Sequence, residues 1–255
     1  MLKLNSIYQG DCLELVKQID DNSIDLIVCD GPYGVTNFEW DKITNIQEYN
    51  FHLVKTFSRV LRPGGSMYLF GKEDCLDYVD YRPYLTQLRK LVWYLPGRLA
   101  QGRNNYTNSS DFIIYLKKRG GVLTFNLEDI RVSQLVDAKQ RKRVENVPSV
   151  RNGKYNKTKY NENGKNPGSV WFDIKQLTYK SKELLGKKYL NTIQKPESLI
   201  ERLVKASSNP GDIVLDPFLG TGTTYAVCQK LKRNIIGFEM NPELIEVTKK
   251  RCGLE

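Results

Sequence analysis

Asp30-Gly31-Pro32-Tyr33 closes a strand-like apolar run near the start of the chain, and Asp216-Pro217-Phe218-Leu219-Gly220-Thr221-Gly222-Thr223-Thr224 closes another near its end. The first stretch offers a carboxylate, exposed main-chain carbonyls and an aromatic ring, a set suited to gripping an amino group on a flat base. The amino nitrogen of adenine or cytosine is a poor nucleophile because its lone pair is delocalised into the ring. Two acceptors on its hydrogens, the Asp30 carboxylate and a main-chain carbonyl, would pull the nitrogen toward sp3 geometry. Tyr33 could stack on the base once it leaves a duplex. Chemistry of this kind is positioning and electrostatics, without a covalent intermediate.

The second stretch is suited to receiving a cofactor. Gly220 and Gly222 let the backbone approach a ligand closely, and a helix starting near Thr223 would point free N–H groups at it. No Gly-Lys-[Ser/Thr] follows, which excludes a P-loop, and Tyr225 stands where a dinucleotide fingerprint needs its third glycine. Asp216 at the strand end could accept from an ammonium group. Glu239, 23 residues later at the end of the next strand, is placed for ribose hydroxyls. S-adenosyl-L-methionine carries an α-carboxylate, an α-ammonium and a ribose, which makes it the expected cofactor; no metal is expected. Methylation at a cytosine carbon would need a nucleophilic cysteine, typically beside proline. None of Cys12, Cys29, Cys75, Cys228 and Cys252 adjoins one.

These two stretches need strands to end at them and helices to brace them. Ser6–Gln9 and Ser23–Cys29 read as strands, with a helix over Cys12–Gln18 between them. Leu53, Val54, Phe57, Val60 and Leu61 repeat at helical spacing across Ile46–Leu61, which stops before Arg62-Pro63-Gly64-Gly65. Ser66–Phe70, Lys90–Leu95 and Phe112–Leu116 are further strand candidates. Pro196–Ala206 reads as a helix with proline at its start, followed by the strand Ile213–Leu215. The helix Thr223–Leu231, the strand Asn234–Phe238 and the helix Pro242–Arg251 complete the pattern. Only one strand and two helices follow the glycine loop, so the other strands of its sheet must come from the N-terminal half. The expectation is an α/β, permuted Rossmann-like sheet.

The pattern weakens between about Lys117 and Tyr189, where Gly, Asn, Lys and Tyr dominate. The domain reading is therefore a catalytic half over 1–118, an inserted region over 119–189 and a cofactor-binding half over 190–255. The net charge of the 255 residues is +10. Residues 131–165 hold ten Lys/Arg against three acids. That concentration points to a polyanionic partner. Arg141, Lys142, Arg143, Lys157 and Lys159 are candidate phosphate contacts, with Tyr155 and Tyr160 available for stacking. Trp40 is a candidate for packing on displaced DNA or for plain packing. His52, the only histidine, is read as structural, beside the apolar face of its helix. The scattered, odd set of cysteines suggests neither disulfides nor a zinc site. No apolar run approaches a membrane span and no signal peptide opens the chain, so a cytoplasmic protein without membrane contact is expected.

The motifs and their order resemble the amino-group DNA methyltransferases, adenine-N6 or cytosine-N4, in the class where the catalytic motif comes before the S-adenosylmethionine motif. Asp30-Gly31-Pro32-Tyr33 resembles the family's Asp-Pro-Pro-Tyr, Leu61-Arg62-Pro63-Gly64-Gly65 its Leu-Lys-Pro-Gly-Gly turn, and Gln194-Lys195-Pro196 the end of the motif beside the methionine moiety. Asp216–Thr224 and Glu239 match the cofactor loop and the ribose-binding acid. What the resemblance implies is a methyl transfer to the exocyclic amine of a flipped base in double-stranded DNA. Asp11 would contact the cofactor adenine, and Lys195, Phe218, Gly220, Gly222 and Thr223 its other parts. Basic residues 141–143, 157 and 159 fall in the family's target-recognition slot. A homodimer and a cognate restriction endonuclease are further expectations.

Two departures stand out. Gly31 replaces the first proline of the tetrapeptide, so its carbonyl is kept but a fixed φ is lost. Asn191-Thr192-Ile193 stands where the family often has His-Pro-Thr. The leading reading is adenine N6, because Asp leads the tetrapeptide in most adenine enzymes; cytosine N4 stays open. Protein-glutamine methylation and a DNA-binding relative without activity are more remote.

Overall fold

The computed structural model describes residues 2–35, 41–96, 104, 106–133, 161–185 and 194–254, and the main chain of 148–151 and 154–157. Its strands are β1 (Ser6–Gln9), β2 (Ile24–Cys29), β3 (Leu61–Gly71), β4 (Leu85–Tyr94), β5 (Ser110–Lys118), β6 (Pro148–Arg151), β7 (Lys154–Lys157), β8 (Val170–Trp171), β9 (Ile213–Asp216) and β10 (Asn234–Glu239). Its helices are α1 (Cys12–Leu15), α2 (Ile46–Val60), α3 (Glu73–Leu76), α4 (Glu197–Ser207), α5 (Thr223–Lys230) and α6 (Pro242–Cys252).

Eight strands form one sheet in the order β1-β10-β9-β2-β3-β5-β4-β8. The five from β1 to β3 run parallel, β5 is antiparallel to both β3 and β4, and β8 pairs parallel with β4. The chain is a permuted Rossmann-like α/β fold: β9, ninth along the chain, lies inside the sheet against β2. From β9 the crossover through α5 leads outward to β10, and from β2 the crossover through α2 leads the other way to β3. Strand order therefore reverses between β9 and β2, the place where open α/β sheets bind ligands beyond their carboxyl ends.

Burial explains why β2 is apolar throughout Leu26–Cys29. On β2, Ile27 and Cys29 face a core with Val16 of the 3-10 turn after α1 and with Leu53, Val54 and Phe57 of α2. Leu26 and Val28 face the opposite core with Leu199, Ile200, Leu203 and Val204 of α4 and Val227 of α5. Both faces are covered, so both parities of the strand must be apolar. Helix α2 starts at Asn45, whose side chain accepts from the Glu48 N–H at 3.1 Å and donates to the Glu48 carboxylate at 3.2 Å. Helix α6 starts at Asn241 with Pro242 next, and ends at Gly253 with φ +65°.

Strand β3 begins earlier than expected. Leu61 pairs with Ile24 and Ser66 with Leu26, so Arg62-Pro63-Gly64-Gly65 bulges out of the strand pairing rather than merely ending the helix. Gly64 is required there: its φ is +82°, and a Cβ would lie 2.4 Å from the Val122 carbonyl oxygen. The expected insert over 119–189 is anchored in this same body at both ends. Ile130, Trp171 and Ile174 are buried in the core. The Trp93 indole donates to the Ile174 carbonyl at 2.8 Å, and Asn126 Nδ2 donates to the Lys205 and Ser208 carbonyls at the end of α4, both at 3.0 Å. Between these anchors, β6 and β7 form a separate antiparallel pair. His52 is a correction to the sequence reading. It is solvent-exposed, beside Glu48 at 3.9 Å on the outer side of α2.

Candidate active site

Four carboxylates stand at or just beyond the carboxyl ends of four adjacent parallel strands: Asp11 after β1, Glu239 on β10, Asp216 on β9 and Asp30 after β2. Register fixes their level. Gln9 pairs with Glu239, Gly237 with Asp216, and Ile27 with Leu215. All four line one cleft of about 510 Å³, with Gly31, Pro32, Tyr33, Lys195, Phe218, Gly220 and Thr223. Of the residues expected to bind cofactor, Gly222 alone is not on its wall. It has φ +76°, and a Cβ would lie 2.3 Å from Thr248 Cγ2, so it serves the close approach of α6 to the start of α5.

The side of the cleft around Asp30 is held tightly. Lys195 Nζ donates to Asp30 Oδ1 at 2.8 Å and Oδ2 at 2.7 Å, from a buried position. The Tyr33 hydroxyl donates to Asp30 Oδ1 at 2.8 Å. Burial, then the Asp30 charge, holds the Tyr33 phenol well above its ordinary range, so it remains a donor. Asp41, also buried, accepts from the N–H groups of Tyr33 (2.7 Å), Gly34 (2.8 Å) and Val35 (3.0 Å). The Cys75 thiol donates to the Tyr33 carbonyl at 3.0 Å, and burial pushes that thiol's pKa up. Gly31 lies beside the Phe218 ring, where a Cβ would be 3.0 Å from Cε2.

The side around Asp216 and Glu239 has a different character. Asp216 is buried and accepts from the Phe218 N–H at 2.9 Å. Burial pushes its carboxyl up to about 7; Thr224 and the Phe218 N–H pull it down, while Asp30 and Glu239 push it further up. Among the described residues no ion pair reaches it, and an ammonium ligand would supply one. Glu239 accepts from the Gly220 N–H and the Asn241 N–H, each at 2.8 Å, which ties the glycine loop to β10 and leaves lone pairs for hydroxyl donors. Asp11 caps α1 by accepting from the Leu13 N–H at 2.7 Å. Thr223 Oγ1 donates to the Lys195 carbonyl at 3.3 Å, joining the two halves of the cleft. The volume suits a cofactor of nucleoside size.

Sequence reasoning missed Asp41 as part of this site, and also Tyr49, Met240 and Asn241 on its wall. No sequence signal marked Asp41, whose partners are the main-chain N–H groups of residues 33–35. Trp40, Arg141, Lys142, Arg143, Lys159 and Tyr160 lie outside the described residues, as do Asn191, Thr192 and Ile193. Lys157 and Tyr155 fall on β7, whose main chain alone is described.

The profile of the DNA methylase family of the N6/N4 type matches residues 24–250. The chain is 34% identical to the Type II methyltransferase M.HpaI of Haemophilus parainfluenzae, over 96% of this chain and 73% of the relative. It is also 34% identical to the DNA adenine methyltransferase YhdJ of Escherichia coli K12, over 98% of this chain and 83% of that one. Among solved structures, the cytosine-N4-specific PvuII DNA methyltransferase superposes with a TM-score of 0.68 at 17% identity, covering 96% of this chain and 85% of that one. TTHA0409 of Thermus thermophilus, complexed with S-adenosyl-L-methionine, gives a TM-score of 0.64 at 21% identity, with 97% and 92% covered. The chain belongs to the N6/N4 DNA methylase family.

Proposed function

We propose that this chain transfers the methyl group of S-adenosyl-L-methionine to N6 of an adenine flipped out of double-stranded DNA at a specific sequence. The observation that carries the reading is the adjacency of β2 and β9, whose ends open Asp30 and Asp216 on one cleft. Asp216 would take the cofactor ammonium, Glu239 the ribose, and Asp11 the adenine side, while Phe218, Gly220 and Thr223 shape the wall between them. When bound, the cofactor supplies an electrophilic methyl on a sulfonium. Asp30 and a carbonyl of Gly31-Pro32 would accept the two hydrogens of the target amine and turn its lone pair out of the ring plane. Tyr33 stacks on the base and, through its hydroxyl, holds Asp30. The amine proton released on transfer has Asp30 as its first acceptor.

Adenine rather than cytosine is supported by the Asp that leads the tetrapeptide and by the named activity of the E. coli relative. The structural likeness to the PvuII enzyme speaks for the fold alone. Within the region 119–189, Arg141, Lys142, Arg143, Lys157 and Lys159 would meet phosphates, and Trp40 displaced DNA; the local basic excess supports this. We place the protein in the cytoplasm, as a homodimer with a cognate restriction endonuclease. Its cysteines are free and buried, and no helix among the described residues is long and apolar enough to cross a membrane.

Incubation with methyl-labelled cofactor and duplex DNA, followed by digestion to nucleosides, tests the reaction. Label in N6-methyladenine is expected. Label in N4-methylcytosine would reassign the target, and no label with folded protein would leave only the binding reading.

A further inference from the structure

We infer that Asp41 is the positioning residue of the catalytic loop, a carboxylate clamp that replaces the rigidity Gly31 gives up; this rests on the proposed role of residues 30–33. A tetrapeptide with two prolines presets φ twice, whereas this one has a glycine at its second position and a proline only at its third. Something else must hold the carbonyls of residues 31 and 32 and the Tyr33 ring in place for a reaction that depends on positioning.

Asp41 does this with two oxygens and three successive N–H groups. Oδ1 accepts from Tyr33 and Gly34 at 2.7 and 2.8 Å, and Oδ2 accepts from Val35 at 3.0 Å. Three consecutive amides converging on one anion form a concave nest, which holds Gly34 at φ +67°. The Tyr33 carbonyl is taken from the other side by the Cys75 thiol at 3.0 Å, and α3 is tied to α2 by Asn50 Nδ2 donating to the Cys75 carbonyl at 2.8 Å. Tyr33 is thus gripped at its N–H and its carbonyl, and its hydroxyl reaches Asp30. Asp41 works through the main chain of residues 33–35, which follows directly on Asp30 and Gly31-Pro32.

Asn at this position keeps the size but turns one acceptor into an N–H donor facing another donor, so the loop must move. A shift on the order of 1 Å at a positioning site costs about 10²-fold in rate. The expectation for Asp41→Asn is a kcat lower by about 10²-fold, with cofactor affinity within threefold and a single cooperative unfolding transition, its midpoint lowered by the loss of buried hydrogen bonds. A kcat within threefold of the parent would overturn the clamp. A lower kcat accompanied by equal loss of cofactor binding would overturn it as well, because general unfolding of the cleft would explain both. Amide hydrogen exchange on the unaltered protein gives a test that needs no variant. Tyr33, Gly34 and Val35 should be protected by at least about 10²-fold over an open loop, and rapid exchange would sink the inference. Asp30→Ala run in parallel separates the layers. If it stays active, the reading of residues 30–33 fails; if it is inactive while Asp41→Asn is active, only the clamp fails.

Discussion

Lys195 donates to both carboxylate oxygens of Asp30, at 2.8 and 2.7 Å, across 165 residues of chain. The sequence suggested this lysine as a partner for a cofactor carboxylate; the structure shows it bound to Asp30. Its ammonium is buried among the Tyr33 and Phe70 rings, 5.3 and 5.5 Å from their centroids, and Asp30 is the anion that compensates it. Lys195→Met should therefore lower stability by about 2–3 kcal/mol, less than a fully enclosed pair because Asp30 opens on the cleft. Methyl transfer should fall with it, since Asp30 loses its brace. Chemical denaturation together with single-turnover methylation checks this, and an unchanged unfolding midpoint would show the pair to be energetically idle.

The raised pKa of Asp216 gives a pH signature. An unfolded carboxyl titrates near ~3.9, whereas burial holds this one at about 7. Between those values the folded protein binds one proton more than the unfolded chain. Its contribution to stability is thus full below the unfolded pKa and lost as pH rises through about 7. An ammonium ligand requires the ionised form. Cofactor affinity should weaken by about tenfold per pH unit below neutrality and level off above it. Titration calorimetry between weakly acid and neutral pH checks this, and Asp216→Asn should bind weakly with no pH dependence. A flat profile in the parent protein would remove the ammonium from this site.

Gly31 and Phe218 should be energetically coupled. A methyl at position 31 would meet the Phe218 ring at 3.0–3.4 Å, so the ring, part of the cleft wall, has to give way. Gly31→Ala should reduce kcat/KM by roughly three- to tenfold, and Phe218→Leu in the same chain should recover part of it. A double-mutant cycle should return a coupling of about 1 kcal/mol. Simple additivity would mean that the contact transmits nothing.

Most elements were legible because their two periodicities are clean. Ser6–Gln9 is read to the residue, and the helix beginning at Ile46 is read to within one. Strand β2 is apolar on both parities over Leu26–Cys29, α2 and α4 are apolar on one stripe each, and Pro63 stands just past the end of α2. The pairing of Asp30 with Asp216 was readable from strand ends and chain order. What stayed hidden depends on long-range geometry. β8 is a two-residue strand recognised only by its partner β4. Lys195 reaches Asp30 from the start of a helix on the opposite face, and nothing local marks it. Asp41 is bound to the main chain, which carries no side-chain code for its donors. Gly222 misled for a related reason: its neighbour Gly220 lies at the cleft, while it meets Thr248 behind.

Charge reversal at Arg141, Lys142 and Arg143 should weaken DNA binding uniformly across sequences. If all three neutralise phosphates, the slope of log affinity against log salt should fall in magnitude by about 0.9 for each phosphate no longer neutralised, roughly 2.7 in total. Fluorescence anisotropy over a salt series measures it. An unchanged slope would move the DNA-facing surface away from these residues.

The claim on which the rest stands is a division of labour within one cleft, and the paired measurement of cofactor Kd and single-turnover methylation rate in Asp30→Asn and Asp216→Asn tests it most directly. The account predicts that Asp30→Asn loses at least about 10³-fold in rate while holding cofactor within a few fold, and that Asp216→Asn loses cofactor affinity first, with much of the rate returning at saturating cofactor. Indistinguishable behaviour of the two variants would contradict it.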